Sequence, residues 1–120
     1  PEHLEGQIFL GPNKKSREFI IAARDRCDET EDRIRCVRTS QYKYIRNFHP
    51  ERPYTQYNRY KDAYYPVLSL MHQLYIQKKL TPEQSPFMAD NRPKEELYDL
   101  HIDPHELNNL AEKEREKAAI

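Results

Sequence analysis

Few residue groupings in this chain could carry chemistry. His101-Ile102-Asp103-Pro104-His105 puts two imidazoles and a carboxylate within five residues. Pro104 breaks the helix that an i,i+4 histidine pair needs, and no third or fourth ligand stands nearby, so these read as surface turn histidines rather than a metal site. His72 falls beside the apolar stripe of a helix and reads as solvated or partner-facing. Ser16, Ser40, Ser69 and Ser85 sit in no strained elbow, so no nucleophile with its base is visible. The carboxylates of residues 28–32 lie in a polar stretch where such groups are ordinarily solvated. More distinctive is a basic stripe, in which Arg33, Arg35, Arg38, Lys43 and Arg46 interleave with Tyr42, Tyr44 and Phe48. A sheet face of that kind could stack bases or grip phosphates. It lacks the glycine–aromatic signature of an RNA-recognition sheet. Arginine grips sulfate and carboxylate through the same bidentate geometry, so an anionic sugar suits these groups better. The same arginines can equally form ion pairs with a covering domain.

Composition narrows the classes further. The 120 residues set a ceiling of one domain. The 20 Lys and Arg balance the 20 Asp and Glu, and zero net charge argues against a dedicated nucleic-acid binder. No run approaches the ~20 apolar residues of a membrane span. Hydrophobic residues are 37% and charged residues 33%, against about 45–50% and about 25% in an ordinary soluble domain, so the core is thin. Two glycines exclude a glycine-rich phosphate loop. The patterned Tyr, Phe, Ile and Leu argue against disorder. Cys27 and Cys36 fit no zinc spacing, and two cysteines are too few for a disulfide framework. A bridge between them needs a particular hairpin register; the alternative is two free, half-buried thiols. The chain begins Pro1-Glu2-His3-Leu4, with no Met and no visible targeting segment, so the natural protein is expected to start upstream. The compartment cannot be read from this end.

The elements that must position these groups follow from periodicity. Residues 1–16 read as a leading loop punctuated by Gly6, Gly11 and Pro12. Residues 17–24 form a strand whose apolar centre, 19–23, is continuous, which predicts cover on both faces. Residues 25–31 are a polar connection. A second strand over 32–39 alternates Arg33 and Arg35 with Ile34 and Cys36, and Val37 breaks the parity, predicting a bulge or strand end near Arg38. Thr39-Ser40-Gln41 makes a tight turn, and 42–48 is a third strand rich in β-formers. Residues 17–48 thus make a three-strand meander. Residues 49–60, with Pro50 and Pro53, read as an irregular excursion bearing tyrosines. Pro66 opens the main helix over 66–79, with Val67, Leu70, Met71 and Leu74 as its stripe. Thr81 and Gln84 form a capping box for a short helical restart. Residues 95–100 are a fourth strand and 111–120 a C-terminal helix. The fold class is α+β: a small antiparallel sheet of about four strands packed against one main helix plus a C-terminal helix.

Two stretches carry a family resemblance. One is residues 23–30 (ARDRCDET) with 34–48 (IRCVRTSQYKYIRNF), and the other is residues 92–111 (RPKEELYDLHIDPHELNNLA). The second resembles the recurrent ending of arylsulfatase-type sulfatases, a strand reading Glu-Leu-Tyr-Asp-Leu and then Asp-Pro-x-Glu-x-x-Asn-Leu-Ala. Between them Asn58-Arg59-Tyr60-Lys61 and the helix after Pro66 also fit in order. The chain as a whole resembles the C-terminal subdomain of that family, and looks closest to bacterial heparan N-sulfatase (N-sulfoglucosamine sulfohydrolase)-like enzymes. The resemblance implies a part of an enzyme hydrolysing sulfate esters or sulfamates of sulfated carbohydrates. It implies that the subdomain packs beside an α/β catalytic domain of the same parent chain and shapes one wall of the substrate cleft.

Such enzymes use a formylglycine made from the Cys or Ser of a Cys/Ser-x-Pro-x-Arg motif, and a calcium ion. Neither Cys27 nor Cys36 stands in such a motif, and the metal-binding and catalytic Lys and His segments have no counterpart here. Formylglycine and calcium are therefore expected in the parent catalytic domain and no cofactor in this chain, which alone should be inactive. The family also implies a secreted or periplasmic parent. The substrate contacts implied are Arg24, Asp25, Arg26 and Asp28, with His49 as an addition. Arg26 could hold a sulfate or carboxylate, while Asp25 and Asp28 accept sugar hydroxyls. The alternative is that these residues cap the hairpin and bridge two domains. Asp99, Asp103 and Asn109 are expected to be turn and cap residues. A second function class is a free-standing, non-catalytic carbohydrate- or protein-binding module.

Overall fold

Four short strands paired in sequence order form the centre of the molecule. The structure, a computed structural model, describes residues 6–113. Strands β1 (Ile20–Cys27), β2 (Thr30–Arg38), β3 (Tyr42–Asn47) and β4 (Glu95–Asp99) make one antiparallel sheet in the order β1-β2-β3-β4. Helices α1 (Arg59–Tyr64) and α2 (Pro66–Ile76) and a 3-10 turn (Ser85–Met88) fill the connection from β3 to β4. The expected α+β class with a four-strand antiparallel sheet is what the chain adopts.

Strand chemistry explains the register. Thr39 closes the β2–β3 turn: its Oγ1 accepts from the N–H groups of Gln41 (3.3 Å) and Tyr42 (2.9 Å). The β1–β2 turn consists of Asp28 and Glu29, with Asp28 at φ +53, a left-handed position that Asp tolerates better than most residues. The strands therefore extend into the predicted polar connection of residues 25–31, because a two-residue turn leaves the rest free to pair. Strand β2 ends at Arg38, the strand end expected there, and the bulge falls in β1, between Arg24 and Arg26. Cys27 pairs with Thr30 at the turn while Cys36 pairs with Ala22 far along the hairpin, so this register keeps the thiols apart and both are free. Burial pushes the Cys36 thiol pKa up.

Helix α2 ends three residues before the predicted Lys79. Lys78 takes φ +54, its N–H donates to the Tyr75 carbonyl (2.9 Å), and the Lys79 N–H donates to Leu74 (2.8 Å). This is a Schellman stop built on lysine in place of glycine, a terminator the composition does not announce. Helix α2 meets α1 and the 3-10 turn, and Phe87 of that turn, 6.2 Å from the Tyr54 ring, lines a cavity together with Ile34 and Ile45 of the sheet. The predicted C-terminal helix begins at residues 111–113; its remainder lies outside the described residues.

The core is mostly polar. Among the described residues the buried hydrophobic ones are Met88, Tyr98 and Ala111, and the most buried residue is Asn47, 1% exposed as a whole. Its amide donates to Glu96 (2.6 Å) and to the Pro93 carbonyl (2.8 Å), and Tyr98 also donates to Glu96 (2.7 Å). Burial and the Glu96 carboxylate both push the Tyr98 and Tyr54 hydroxyl pKa values far up. Beside this network Arg92 donates to Asp32, both side chains essentially without solvent exposure (1% and 0%). Arg92 also reaches the His49 carbonyl (3.3 Å), tying the post-β3 loop to β2.

The apolar residues lie largely outside. Strand β1 is a sheet edge, and Ile20 and Ile21, which face opposite sides, are 47% and 68% exposed. The predicted cover on both faces of 19–23 is thus not supplied by the described residues. Val67, Leu70 and Ile76 of α2 are exposed as well. The accessible surface is 9918 Å² for 14.5 kDa, whereas a compact monomer of that mass exposes roughly 6,900 Å². The radius of gyration is 17.8 Å against roughly 13.6 Å for a compact chain of this length.

The Asp32–Arg92 pair gives a pH-dependent prediction. Burial pushes the Asp32 carboxyl up, but Arg92, the Arg33 N–H and Gln56 outweigh it and hold it below its ordinary value. A carboxylate depressed in the folded state contributes stability above its unfolded pKa, lost as pH falls through the folded one. Asp32→Asn is therefore expected to cost about 3 kcal/mol near neutral pH, by stranding a buried guanidinium. It should also flatten the loss of stability below about pH 4. Urea titrations at a series of pH values check both; an unchanged acid limb would contradict the assignment.

Candidate functional site

The hairpin tip is braced by the segment the sequence reading left irregular. Thr30 Oγ1 donates to the Tyr57 carbonyl (2.8 Å), and Arg52 reaches the Glu31 carbonyl (2.5 Å). Asn58, buried, is the N-cap of α1: its Oδ1 accepts from the Lys61 N–H (2.9 Å). Its Nδ2 donates to Asp28 (3.0 Å) and approaches Glu29 (3.5 Å). Glu29 accepts from the Arg59 N–H (2.7 Å), and this bond is the main reason its carboxyl sits below its ordinary pKa. One asparagine thus starts α1 and fastens it to the tip. Against the tip lies a cleft of 690 Å³ lined by Asp28, Glu29, Arg59, Tyr60, Ala63 and Tyr64.

The five expected contact residues fall into separate environments. Arg26 and Asp28 come together at the tip, where Arg26 Nε donates to the Asp28 carbonyl (2.6 Å) and the Arg26 head stays exposed. Asp25, at the bulge, is held by Arg35 through two bonds (2.7 and 3.2 Å). Arg24 is half-buried, with a buried Nε that has no hydrogen-bond partner. His49 lies in the post-β3 loop, with its ring 3.2 Å from Glu51 and its carbonyl on Arg92, and makes no hydrogen bond to the tip among the described residues. Asp99, Asp103 and Asn109 are turn and cap residues: Asp103 accepts from the Leu107 and Asn108 N–H groups (3.1 and 2.7 Å), and Asn109 zips the edge of β4 through Leu97 and Glu95. Asp99 takes the Gln41 amide (3.1 Å) and the His101 N–H (3.0 Å).

Alternation splits the basic stripe between the two sheet faces. Register places Arg33, Arg35, Arg46 and Phe48 on one side, Arg38 and Lys43 on the other. Arg46 pairs with Glu95 (3.0 Å), Arg35 with Asp25, Lys43 with Glu106 (2.6 Å), and Arg33 stacks over Phe48 at 4.6 Å. Most of its charge is therefore answered within the chain. Sequence reasoning missed Asn58, Arg59, Tyr60 and Tyr64 as a functional group. The signal was present: an Asn directly before a polar-aromatic helical turn is a cap, but Pro50 and Pro53 drew the whole stretch into a loop.

Fold and site together define an open α+β module, with a polar core and an aromatic, charged cleft at one hairpin end. No family model matches the chain. Over 111 residues it is 43% identical to the ulvan-active sulfatase of Formosa agariphila, a match covering 92% of this chain and 18% of that protein. The chain thus spans about a fifth of the length of the curated relative it matches. The resemblance read in the sequence meets a sulfatase, though not a heparan N-sulfatase.

Replacing Asn58 tests the brace. Asn58→Ala is expected to cost about 1–2 kcal/mol through the lost cap and the unsatisfied neighbours. Asn58→Asp keeps a capping oxygen but sets a carboxylate against Asp28 and Glu29, so it should destabilise too. Thermal melts of both variants check this; a harmless Asn58→Asp would reduce the residue to a simple cap.

Proposed function

We propose that this chain is the C-terminal part of a sulfatase that removes sulfate from sulfated carbohydrates, and that its hairpin end shapes the substrate cleft. The observation that carries this reading is the 43% identity to an ulvan-active sulfatase along nearly the whole chain. The uncovered apolar surface of β1 and α2 supports it, since both suit a covering domain. The catalytic domain of the same parent chain is that cover. It supplies the formylglycine and calcium, and this chain by itself does not turn over sulfate. The parent is secreted or periplasmic, where sulfated polysaccharide is met. The name of the relative makes an ulvan-type polysaccharide the first substrate to test, ahead of a heparan-type sulfamate.

Arg26 is the contact residue best placed to take a sulfate or carboxylate, since only its Nε is committed firmly within the chain and its head is exposed. Asp28 has one carboxylate oxygen engaged by Asn58 and one left for a sugar hydroxyl. Asp25, Arg24 and His49 act from behind: Asp25 through its pairing with Arg35, Arg24 from its half-buried site, and His49 from the neighbouring loop.

Sulfate release from ulvan tests the reading. The full-length protein carrying this chain is expected to release it and the 120-residue chain alone to release none. Arg26→Ala in the full-length protein should lower kcat/KM about tenfold, a loss of about 1.4 kcal/mol in transition-state binding. No sulfate release from ulvan, heparan sulfate or an aryl sulfate by the full-length protein would contradict the function. An unchanged kcat/KM would contradict the contact.

A further inference from the structure

We infer that the cleft between the β1–β2 turn and α1 is a sugar-stacking subsite, in which Tyr60 and Tyr64 receive the apolar face of a pyranose, Asp28 accepts a hydroxyl and Arg59 meets an anionic substituent. This rests on the polysaccharide reading above and adds residues that neither the resemblance nor the relative assigns. The rings are pre-set. Tyr60 and Tyr64 lie 4.9 Å apart at 39°, and Tyr65 meets Tyr60 edge-on at 5.9 Å. Tyr60 and Tyr64 are nevertheless 58% and 69% exposed, so their outer faces are free to stack. Exposed aromatic rings held in place by their neighbours give contact area at small entropic cost.

The polar groups of the cleft are equally fixed. Asp28 is anchored by Asn58, and Glu29 by the Arg59 N–H, which keeps Glu29 ionised. Each carboxylate retains acceptor capacity toward the 690 Å³ space. The Arg59 guanidinium is exposed and makes no hydrogen bond or ion pair among the described residues; its charge already acts on Glu29 beside it and can also meet a sulfate or uronate.

This mixture separates the cleft from the other uncovered surfaces. Ile20 and Ile21 on β1 and Val67, Leu70 and Ile76 on α2 offer apolar area that suits a protein neighbour. Covering the cleft with an apolar protein face would bury two only partly hydrogen-bonded carboxylates and a guanidinium, which is costly. An anionic sugar chain answers all three kinds of group at once: ring, carboxylate and guanidinium.

The test uses the full-length protein carrying this chain, with retardation in gels containing ulvan, desulfated ulvan or heparin as the binding readout and KM and kcat on ulvan as the kinetic one. The Tyr60→Ala/Tyr64→Ala variant is expected to bind ulvan about tenfold more weakly and to raise KM more than it lowers kcat. Tyr60→Phe/Tyr64→Phe keeps the rings and should restore most of the binding. Arg59→Ala should weaken binding to ulvan more than to desulfated ulvan. Unchanged retardation of the alanine variant would overturn the subsite, as would a lower melting temperature of the alanine variant with binding intact, which would make the rings a protein contact. Retardation of the wild type by none of the three polysaccharides would overturn it as well. A wild type that binds ulvan through these rings but releases no sulfate would support the subsite and overturn only the sulfatase reading.

Discussion

The ion pair between Arg92 and Asp32 holds this small fold together, because it joins three parts of the chain that have little apolar surface to share. Asp32 sits on β2, Arg92 leads into β4, and the same guanidinium takes the His49 carbonyl from the loop after β3. A buried charge pair is seldom a net source of stability, but losing one partner is costly. Its value here is specification: it fixes where the long β3–β4 connection returns to the sheet. Asn47, Glu96 and Tyr98 do the same one strand over, so the centre of the module is set by hydrogen bonds that permit one arrangement.

That polar centre explains what the rest of the surface looks like. With Met88, Tyr98 and Ala111 the buried hydrophobic residues among those described, Ile20 and Ile21 of β1 and Val67, Leu70 and Ile76 of α2 stay exposed. The hairpin end has a different chemistry. There Asn58 couples the tip to α1, and the surface that results mixes rings, carboxylates and a guanidinium. One module thus presents an apolar side suited to a protein and a mixed end suited to a charged saccharide.

Much of the fold was legible from local patterns. β-formers and a Thr-Ser-Gln turn defined β2 and β3, Pro66 marked the start of α2, and the Glu95–Leu97–Tyr98 run marked β4. The misses share one cause, that single-sequence periodicity cannot see left-handed or capped positions taken by ordinary residues. Asp28 and Lys78 adopt positive φ without glycine, which lengthened the hairpin and shortened α2. Continuous apolarity in residues 19–23 marked a strand but also predicted cover on both faces, which the described residues do not provide, because apolar run length reports strand propensity and not which neighbour packs on it. The candidate site was half legible: Arg26 and Asp28 were found together, while Arg59, Tyr60 and Tyr64 came into view only when the fold set α1 against the tip.

The account turns on a division of labour between an apolar docking side and an open hairpin end, and amide hydrogen exchange reads that division directly. Exchange is compared between the 120-residue chain and the full-length protein that carries it. Peptides spanning residues 17–24 and 66–77 are expected to exchange at least tenfold more slowly in the full-length protein, while those spanning 57–65 keep similar rates in both. Equal exchange of residues 17–24 and 66–77 in the two forms would contradict it.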